Sequence, residues 1–95
     1  MTVVFSPQAQ ADLSEAYKYI RSDNPKAADN VLAHIVEVIG LLATEAMEGR
    51  SVVLRDGRQV QTWPVPPYRI YYRKNRGRFE VLRIYHQARR PLEKE

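Results

Sequence analysis

The chain has 95 residues, no cysteine and a formal net charge of +4. This length supports one domain with a single modest core, over residues 1–95, and excludes a separate cofactor domain. Without cysteine there is neither a disulfide framework nor a thiolate metal site, and His34 and His86 alone have no metal-ligand spacing, so we expect no metal and no cofactor.

The N-terminus, MTVVFSPQAQADL, has no basic segment followed by a long apolar one, and no apolar run is long enough to cross a bilayer. We therefore expect a cytoplasmic protein with no membrane partner. The run TVVF predicts a first strand or edge strand.

Two helices are predicted next, each opened by a capping residue and a proline. Ser6 and Pro7 begin the first helix, which ends near Arg21 or Ser22. Asn24 and Pro25 begin the second, which runs to about Glu45. The short connection predicts an antiparallel helical hairpin. Apolar residues recur at helical spacing along both segments: Ala9, Leu13, Ala16, Tyr17 and Ile20, then Ala28, Val31, Leu32, Ile35, Val38, Ile39 and Leu42.

Strands follow from Arg50 onward. SVVL and RQVQTW flank Asp56-Gly57, a two-residue turn signal, although SVVL is also compatible with a loop. After the prolines of PVPP, YRIYYR and FEVLRIYH are separated by KNRGR, whose asparagine and glycine predict a second hairpin. The predicted fold class is α+β, with a short N-terminal strand and a helical hairpin packed on one face of a largely antiparallel sheet of three to four strands.

Alternation along the last two strands assigns their faces, since residues two apart point the same way. We expect Ile70, Tyr72, Leu82 and Ile84 to face the helices, with His86 on the same side at the strand end. Glu80 falls on that side too, six residues from His86. The opposite face then carries arginines interleaved with apolar and aromatic residues: Arg69, Tyr71, Arg73, Val81, Arg83 and Tyr85.

The charge is unevenly distributed. Residues 1–49 contain three basic and seven acidic side chains, whereas residues 50–90 contain ten arginines and Lys74 against only Asp56 and Glu80. Arginine suits bidentate contact with phosphates or carboxylates, which predicts an anionic partner, either nucleic acid or an acidic protein segment. The alternative is that basic strands keep a small sheet soluble and protect its edges.

Several segments together resemble the ParE/RelE superfamily of bacterial type II toxins. They are AQADLSEAYKYI, NPKAADNVLAHI, EGR, YRIYYR and VLRIYHQARRP, and the last two are most similar to the ParE-like branch. The resemblance implies a toxin neutralised by a small cognate antitoxin of the ParD-like, ribbon-helix-helix kind, whose C-terminal segment wraps over the toxin. In the ParE branch it also implies a non-enzymatic poison of DNA gyrase that stabilises the gyrase-DNA cleavage complex.

The resemblance and the charge pattern give two sets of candidate site residues. For the target, gyrase or the gyrase-DNA complex, they are Arg50, Arg58, Arg83, His86, Arg89 and Arg90. For an antitoxin segment with acidic and apolar residues, they are Arg69, Tyr71, Arg73, Arg83 and Tyr85.

The RelE branch implies a different activity, cleavage of messenger RNA on the ribosome. That reaction needs a general acid, a general base and cations around the phosphate. Arg83 and His86 are the candidate catalytic residues in that case, with Glu80 or a tyrosine as counterpart. The sequence has Gln87 after His86 and no tyrosine after Tyr85, which departs from several RelE-like ribonucleases. A structural or interface role for His86 is therefore favoured, and a toxin that has become a non-toxic antitoxin-bound co-repressor is a third possibility.

Overall fold

The computed structural model describes residues 1–94 and contains two helices and five strands. All five strands belong to one sheet, in the order β1-β5-β4-β3-β2. β1 runs parallel to β5 at one edge, and the other neighbours are antiparallel. The elements are β1 (Thr2–Phe5), α1 (Pro7–Asp23), α2 (Pro25–Ala43), β2 (Arg50–Val53), β3 (Gln59–Val65), β4 (Tyr68–Asn75) and β5 (Arg78–His86).

This architecture confirms the predicted α+β fold, with more strands than expected. The sheet has five strands instead of three to four because the N-terminal strand joins it and Arg50–Val53 pairs with β3. Among residues 1–94, no helix has the length and apolar character needed to span a membrane.

The helical hairpin forms as the capping signals predict. The Ser6 hydroxyl accepts a hydrogen bond from the Ala9 amide (3.0 Å), and the Asn24 side chain accepts one from the Ala27 amide (3.1 Å). The Asn24 amide also donates to the Ile20 carbonyl (2.9 Å) at the end of α1. Asn24 therefore ends the first helix and begins the second. With a connection of one residue, the two helices form an antiparallel hairpin.

The main core lies between the helices and the inner face of the sheet. Tyr72 and Phe79 are fully buried there with their rings stacked, 4.6 Å between centroids. Apolar residues of both helices cover them, including Ala9, Ile35 and Leu42. A second cluster lies on the outer face of the sheet, and Tyr85 and Leu92 pack against it; its buried members are Val52, Leu54, Val60, Tyr71 and Leu82.

A β-bulge in β5 reverses part of the predicted face assignment. Tyr71 pairs with Arg83 but Tyr72 pairs with Val81, so Leu82 is an extra residue opposite the β4 ladder. Val81 therefore faces the helices and Leu82 faces outward, the reverse of the prediction. Ile70, Tyr72 and Ile84 face the helices as predicted.

The two hairpin loops differ slightly from the prediction. Leu54 and Arg58 are joined by a backbone hydrogen bond (2.9 Å), so residues 55–57 form a three-residue loop, one residue longer than expected, with Gly57 at φ 92°. Between β4 and β5, Arg76 (φ 49°) and Gly77 (φ 76°) form the turn, and Asn75 is the last residue of β4.

Gly49 tests how closely the connection between α2 and β2 approaches the sheet. Its amide donates to the Tyr72 hydroxyl (2.7 Å), and a Cβ there would lie 2.5 Å from the Thr62 carbonyl oxygen and 2.8 Å from that hydroxyl. We expect Gly49→Ala to lower the free energy of unfolding by about 1–3 kcal/mol through overpacking, measured by urea denaturation.

The matched control is Gly40→Ala in α2, where an added Cβ meets nothing within 4 Å. Because alanine favours helix over glycine, this variant should raise the free energy of unfolding by about 0.5–1 kcal/mol. Equal effects of the two substitutions would contradict the tight approach of the chain at Gly49.

Candidate functional site

The Asp12 carboxylate of α1 lies against β5 beyond the end of β1. Its Oδ2 accepts a hydrogen bond from the Ile84 amide (3.0 Å) and from Arg83 Nε (2.7 Å), and its Oδ1 accepts from Arg83 Nη2 (3.0 Å). The two side chains are mostly buried, at 10% and 21% exposure. Hydrogen bonding to Asp12 raises the pKa of Arg83. The fork of Arg83 therefore holds the helix to the strand.

His86 ends β5 and shapes the backbone that follows it. Its Nδ1 accepts a hydrogen bond from the Ala88 amide (3.0 Å), and its ring meets Tyr68 edge-on, 5.2 Å between centroids. The ring lies on the helical side of the sheet, as predicted, because it pairs with Tyr68 of the inner face. Since Nδ1 is an acceptor here, we assign the proton of the neutral ring to Nε2.

His86 and Arg89 lie between two clefts. The helix-side cleft, of about 280 Å³, is lined by Asp12, Glu15, Ala16, Tyr19, Tyr68, Ile84, His86 and Arg89. The outer cleft, of about 350 Å³, is lined by Arg50, Arg69, Tyr71, Tyr85, His86, Gln87, Arg89, Pro91 and Glu93. Five of the residues predicted from sequence to bind a target or antitoxin share the outer cleft with His86.

The outer cleft is cationic. Its lining contains three arginines and one glutamate. Arg50 lies 3.6 Å from the Glu93 carboxylate, and Arg69 donates a long hydrogen bond to the Thr62 hydroxyl (3.4 Å). The Arg89 guanidinium lies 5.9 Å from the centroid of the Tyr85 ring. The cleft can therefore accept a further anion beside the one it already holds.

The last described residues fold back over the outer face; we call residues 87–94 the tail. The Arg55 amide donates to the Leu92 carbonyl (2.8 Å), and the Lys94 amide donates to the Val53 carbonyl (2.7 Å). The Tyr71 hydroxyl donates to Glu93 (3.2 Å). Burial, and then the Glu93 charge, raise the pKa of Tyr71 to about 12, so the phenol remains a donor at neutral pH.

Four predicted residues lie outside both clefts, and one of them is Arg83, which is paired with Asp12. Arg58 donates to Asp56 (2.8 Å) in the β2–β3 loop, where the Arg58 amide also lowers the pKa of Asp56. Arg73 donates to Glu80 (3.0 Å) towards the other end of β5. Arg90 is exposed, and its carbonyl accepts a hydrogen bond from the Tyr85 hydroxyl (2.8 Å).

The arrangement separates His86 from Glu80, one candidate counterpart, and leaves Tyr68 of the helix-side cleft beside the histidine. The bulge puts Glu80 on the outer face, paired with Arg73, so the expectation that Glu80 shares the side of His86 was wrong. Within residues 1–94, no group of three or more His, Cys, Asp or Glu side chains could hold a metal ion.

Sequence reasoning missed Asp12, Leu92 and Glu93. Asp12 had a usable signal, because it follows Ala9 by three residues and precedes Ala16 by four, which puts a carboxylate on the apolar stripe of α1. Leu92 and Glu93 had none, since nothing local shows that the tail returns to β2.

The Asp12 anchor can be tested by its removal. Asp12→Ala leaves the Ile84 amide and the mostly buried Arg83 guanidinium without their acceptor, so we expect the free energy of unfolding to fall by about 2–4 kcal/mol in urea denaturation.

Glu15→Ala is the control, since the Glu15 side chain is 72% exposed and its carboxylate is as far as 4.0 Å from the Arg89 guanidinium. An exposed pair of this kind contributes little, so that variant should change stability by less than about 0.5 kcal/mol. A loss below about 0.5 kcal/mol for Asp12→Ala as well would show that the anchor does not hold the helix to the strand.

Comparisons with known proteins agree with this fold and charge distribution. The family model for the ParE toxin of the type II toxin-antitoxin system, parDE, matches residues 3–91. A chain of the chromosomal ParDE TA system from P. aeruginosa has a similar structure, with a TM-score of 0.74 and 23% identity over 90% of this chain and 95% of that one.

The YoeB/ParE toxin from Agrobacterium tumefaciens is also similar, with a TM-score of 0.57 and 17% identity over 90% of this chain and 98% of that one. At these identities the two structures show the shared fold alone. No curated protein sequence matches the chain. Because the family model covers nearly the whole sequence, the chain belongs to the ParE toxin family of type II toxin-antitoxin systems.

Proposed function

We propose that the chain acts as a non-enzymatic toxin that binds DNA gyrase and stabilises the gyrase-DNA cleavage complex. The observation that carries the proposal is the outer cleft, whose lining contains Arg50, Arg69 and Arg89 but only one carboxylate, that of Glu93. Such a cleft binds anionic groups of a protein or of DNA without performing chemistry on them. Membership of the ParE family supports gyrase as the target.

The state of His86 argues against catalysis. Its Nδ1 is occupied by the Ala88 amide, and Glu80, one of its two candidate counterparts, is paired with Arg73. The other candidate, a tyrosine, corresponds to Tyr68, whose ring meets that of His86 edge-on. The guanidinium of Arg83, the other candidate catalytic residue, is hydrogen-bonded to the Asp12 carboxylate. A ribonuclease that used Arg83 as its phosphate-binding cation would have to release it from Asp12.

We further propose that a cognate antitoxin covers the outer face. The similarity to a ParDE system supports a ParD-like partner. The outer face combines the cations of the outer cleft with the apolar cluster that includes Val52, Val60 and Leu82. A segment with acidic residues and apolar anchors complements both features, and Arg69, Tyr71 and Tyr85 are the expected contacts.

The ribosome-dependent ribonuclease is the second candidate. The similarity to the YoeB/ParE toxin keeps it under consideration, with ribosome and messenger RNA as partners. A non-toxic co-repressor is distinguished by growth: expression of the chain alone should stop growth if it is a toxin.

A supercoiling assay tests the leading proposal. Purified chain, gyrase, ATP and relaxed plasmid should yield linear DNA after protein digestion, only when chain and gyrase are both present. We expect Arg89→Gln to reduce the linear DNA about tenfold or more, because it removes a cation of the outer cleft. Arg78→Gln removes the same charge from an exposed site at the start of β5 and should leave the yield unchanged. Unimpaired supercoiling by the unaltered chain would overturn the proposal.

His86→Asn separates the gyrase poison from the ribonuclease. The Asn side-chain oxygen can still accept from the Ala88 amide, as asparagine does in turns, but the amide cannot transfer a proton as imidazole does. We expect this variant to keep most gyrase-dependent linear DNA. Messenger RNA cleavage in a translating extract that disappears in the same variant would instead support the ribonuclease.

A further inference from the structure

The tail forms one wall of the outer cleft, to which it contributes Gln87, Arg89, Pro91 and Glu93, and it lies along the sheet as a bound peptide would. It crosses from the end of β5 to the free edge of β2, where the Arg55 amide donates to Leu92 and the Lys94 amide donates to Val53. Leu54 and Glu93 are thereby opposite each other in an antiparallel bridge. Leu92 packs on the outer apolar cluster, and Glu93 meets Arg50 and the Tyr71 hydroxyl.

These contacts are few and mostly at the surface. Glu93 is 3.6 Å from a guanidinium whose side chain is 62% exposed, which makes a weak pair. Only two backbone hydrogen bonds join residues 92–94 to β2. The tail therefore contributes little to the stability of the domain and can detach without unfolding the sheet.

We propose that the tail is a self-bound ligand: it covers the edge of β2 and the outer apolar cluster until an extended peptide with an apolar residue next to a carboxylate replaces it. When the tail leaves, the rest of the cleft lining keeps Arg50 and Arg69 and contains no carboxylate, so a partner segment with more carboxylates than the tail binds more strongly. The inference rests on the proposed function, in that it adds regulation to the surface assigned to the antitoxin.

The contacts favour a peptide over a nucleic acid as the incoming partner. The free edge of β2 offers the Arg55 amide and the Val53 carbonyl in ladder geometry, which only another backbone satisfies as a pair. The apolar cluster beneath Leu92 takes an aliphatic side chain. A phosphate backbone would use Arg50 and Arg69 but neither of the other two features.

Competition follows from the covalent link. A segment attached by a short linker acts at an effective concentration in the millimolar range. A separate peptide must therefore compete with the tail to bind at the edge of β2. Weakening the tail without altering the sheet residues that it contacts should therefore strengthen the binding of a free peptide.

Lys94→Pro weakens the tail selectively. Proline removes the amide that donates to Val53 and leaves Leu92, Glu93 and the sheet residues that they contact unchanged. Lys94→Ala is the matched control, since it removes the same charge and keeps the amide. The probe is an acetylated peptide with the sequence RPLEK, residues 90–94, titrated into the isotopically labelled full-length chain while the amide signals of residues 53–55 are followed by NMR.

We expect the peptide to bind about three- to tenfold more tightly to Lys94→Pro than to Lys94→Ala, the range that the loss of one backbone hydrogen bond gives. Replacing the peptide's glutamate by glutamine, or adding Arg50→Ala to the chain, should weaken binding. Since the experiment contains no gyrase, its outcome is independent of the gyrase assay.

Equal affinity of the two Lys94 variants would overturn the self-bound ligand, and so would binding that ignores the peptide's glutamate. A second variant, Leu92→Ser, weakens the tail without a proline and should show the same increase in affinity for the peptide. If a short DNA duplex gained affinity for Lys94→Pro while the peptide did not, the occupant would be nucleic acid and the proposal would be wrong.

Discussion

The hydrogen bonds of Asp12 connect the two halves of the molecule. The chain leaves β1 at Phe5 and enters α1 immediately, so the last part of β5 has no neighbouring strand on that side. Asp12 fills this place by accepting from the Ile84 amide, and its remaining capacity takes the fork of Arg83. The Asp12 carboxylate thus accepts the hydrogen bond of a strand-edge amide and neutralises an arginine. Both clefts lie beside the end of β5, which these hydrogen bonds hold to α1.

The bulge at Leu82 then decides which groups share a surface. With unbroken alternation, Glu80 and His86 would lie on one face; the extra residue puts them on opposite faces. Tyr85 faces outward as alternation predicts, next to Arg69, its partner on β4. The irregularity therefore leaves Arg69, Tyr71 and Tyr85 on the predicted face and removes Glu80 from the side of His86, which supports the binding role proposed for this region.

Sequence reasoning succeeded where the signals are local. Ser6, Asn24 and their following prolines are caps that act within three residues, and Gly77 is needed for a turn that two strands must make. It failed where the structure depends on contacts between segments far apart in the sequence. The bulge depends on how β4 and β5 pair, and the pair between Asp12 and Arg83 joins residues 71 apart. For the site, the arginines and tyrosines of the outer cleft were predicted, but their anionic neighbours were not.

Those anionic neighbours show that the arginines of the second half of the chain are not equivalent. From composition, the second half of the chain presents ten arginines as equivalent candidates. In the fold, Asp12, Asp56 and Glu80 each hold one arginine at 3.0 Å or less, so these cations stabilise the structure locally. The longer arginine pairs, with N···O distances of 3.6 Å to Glu93 and 4.0 Å to Glu15, belong to Arg50 and Arg89, which both line the outer cleft. Because a loosely held arginine exchanges its anion at low cost, the proposed partner surface contains two arginines that are free to bind another anion.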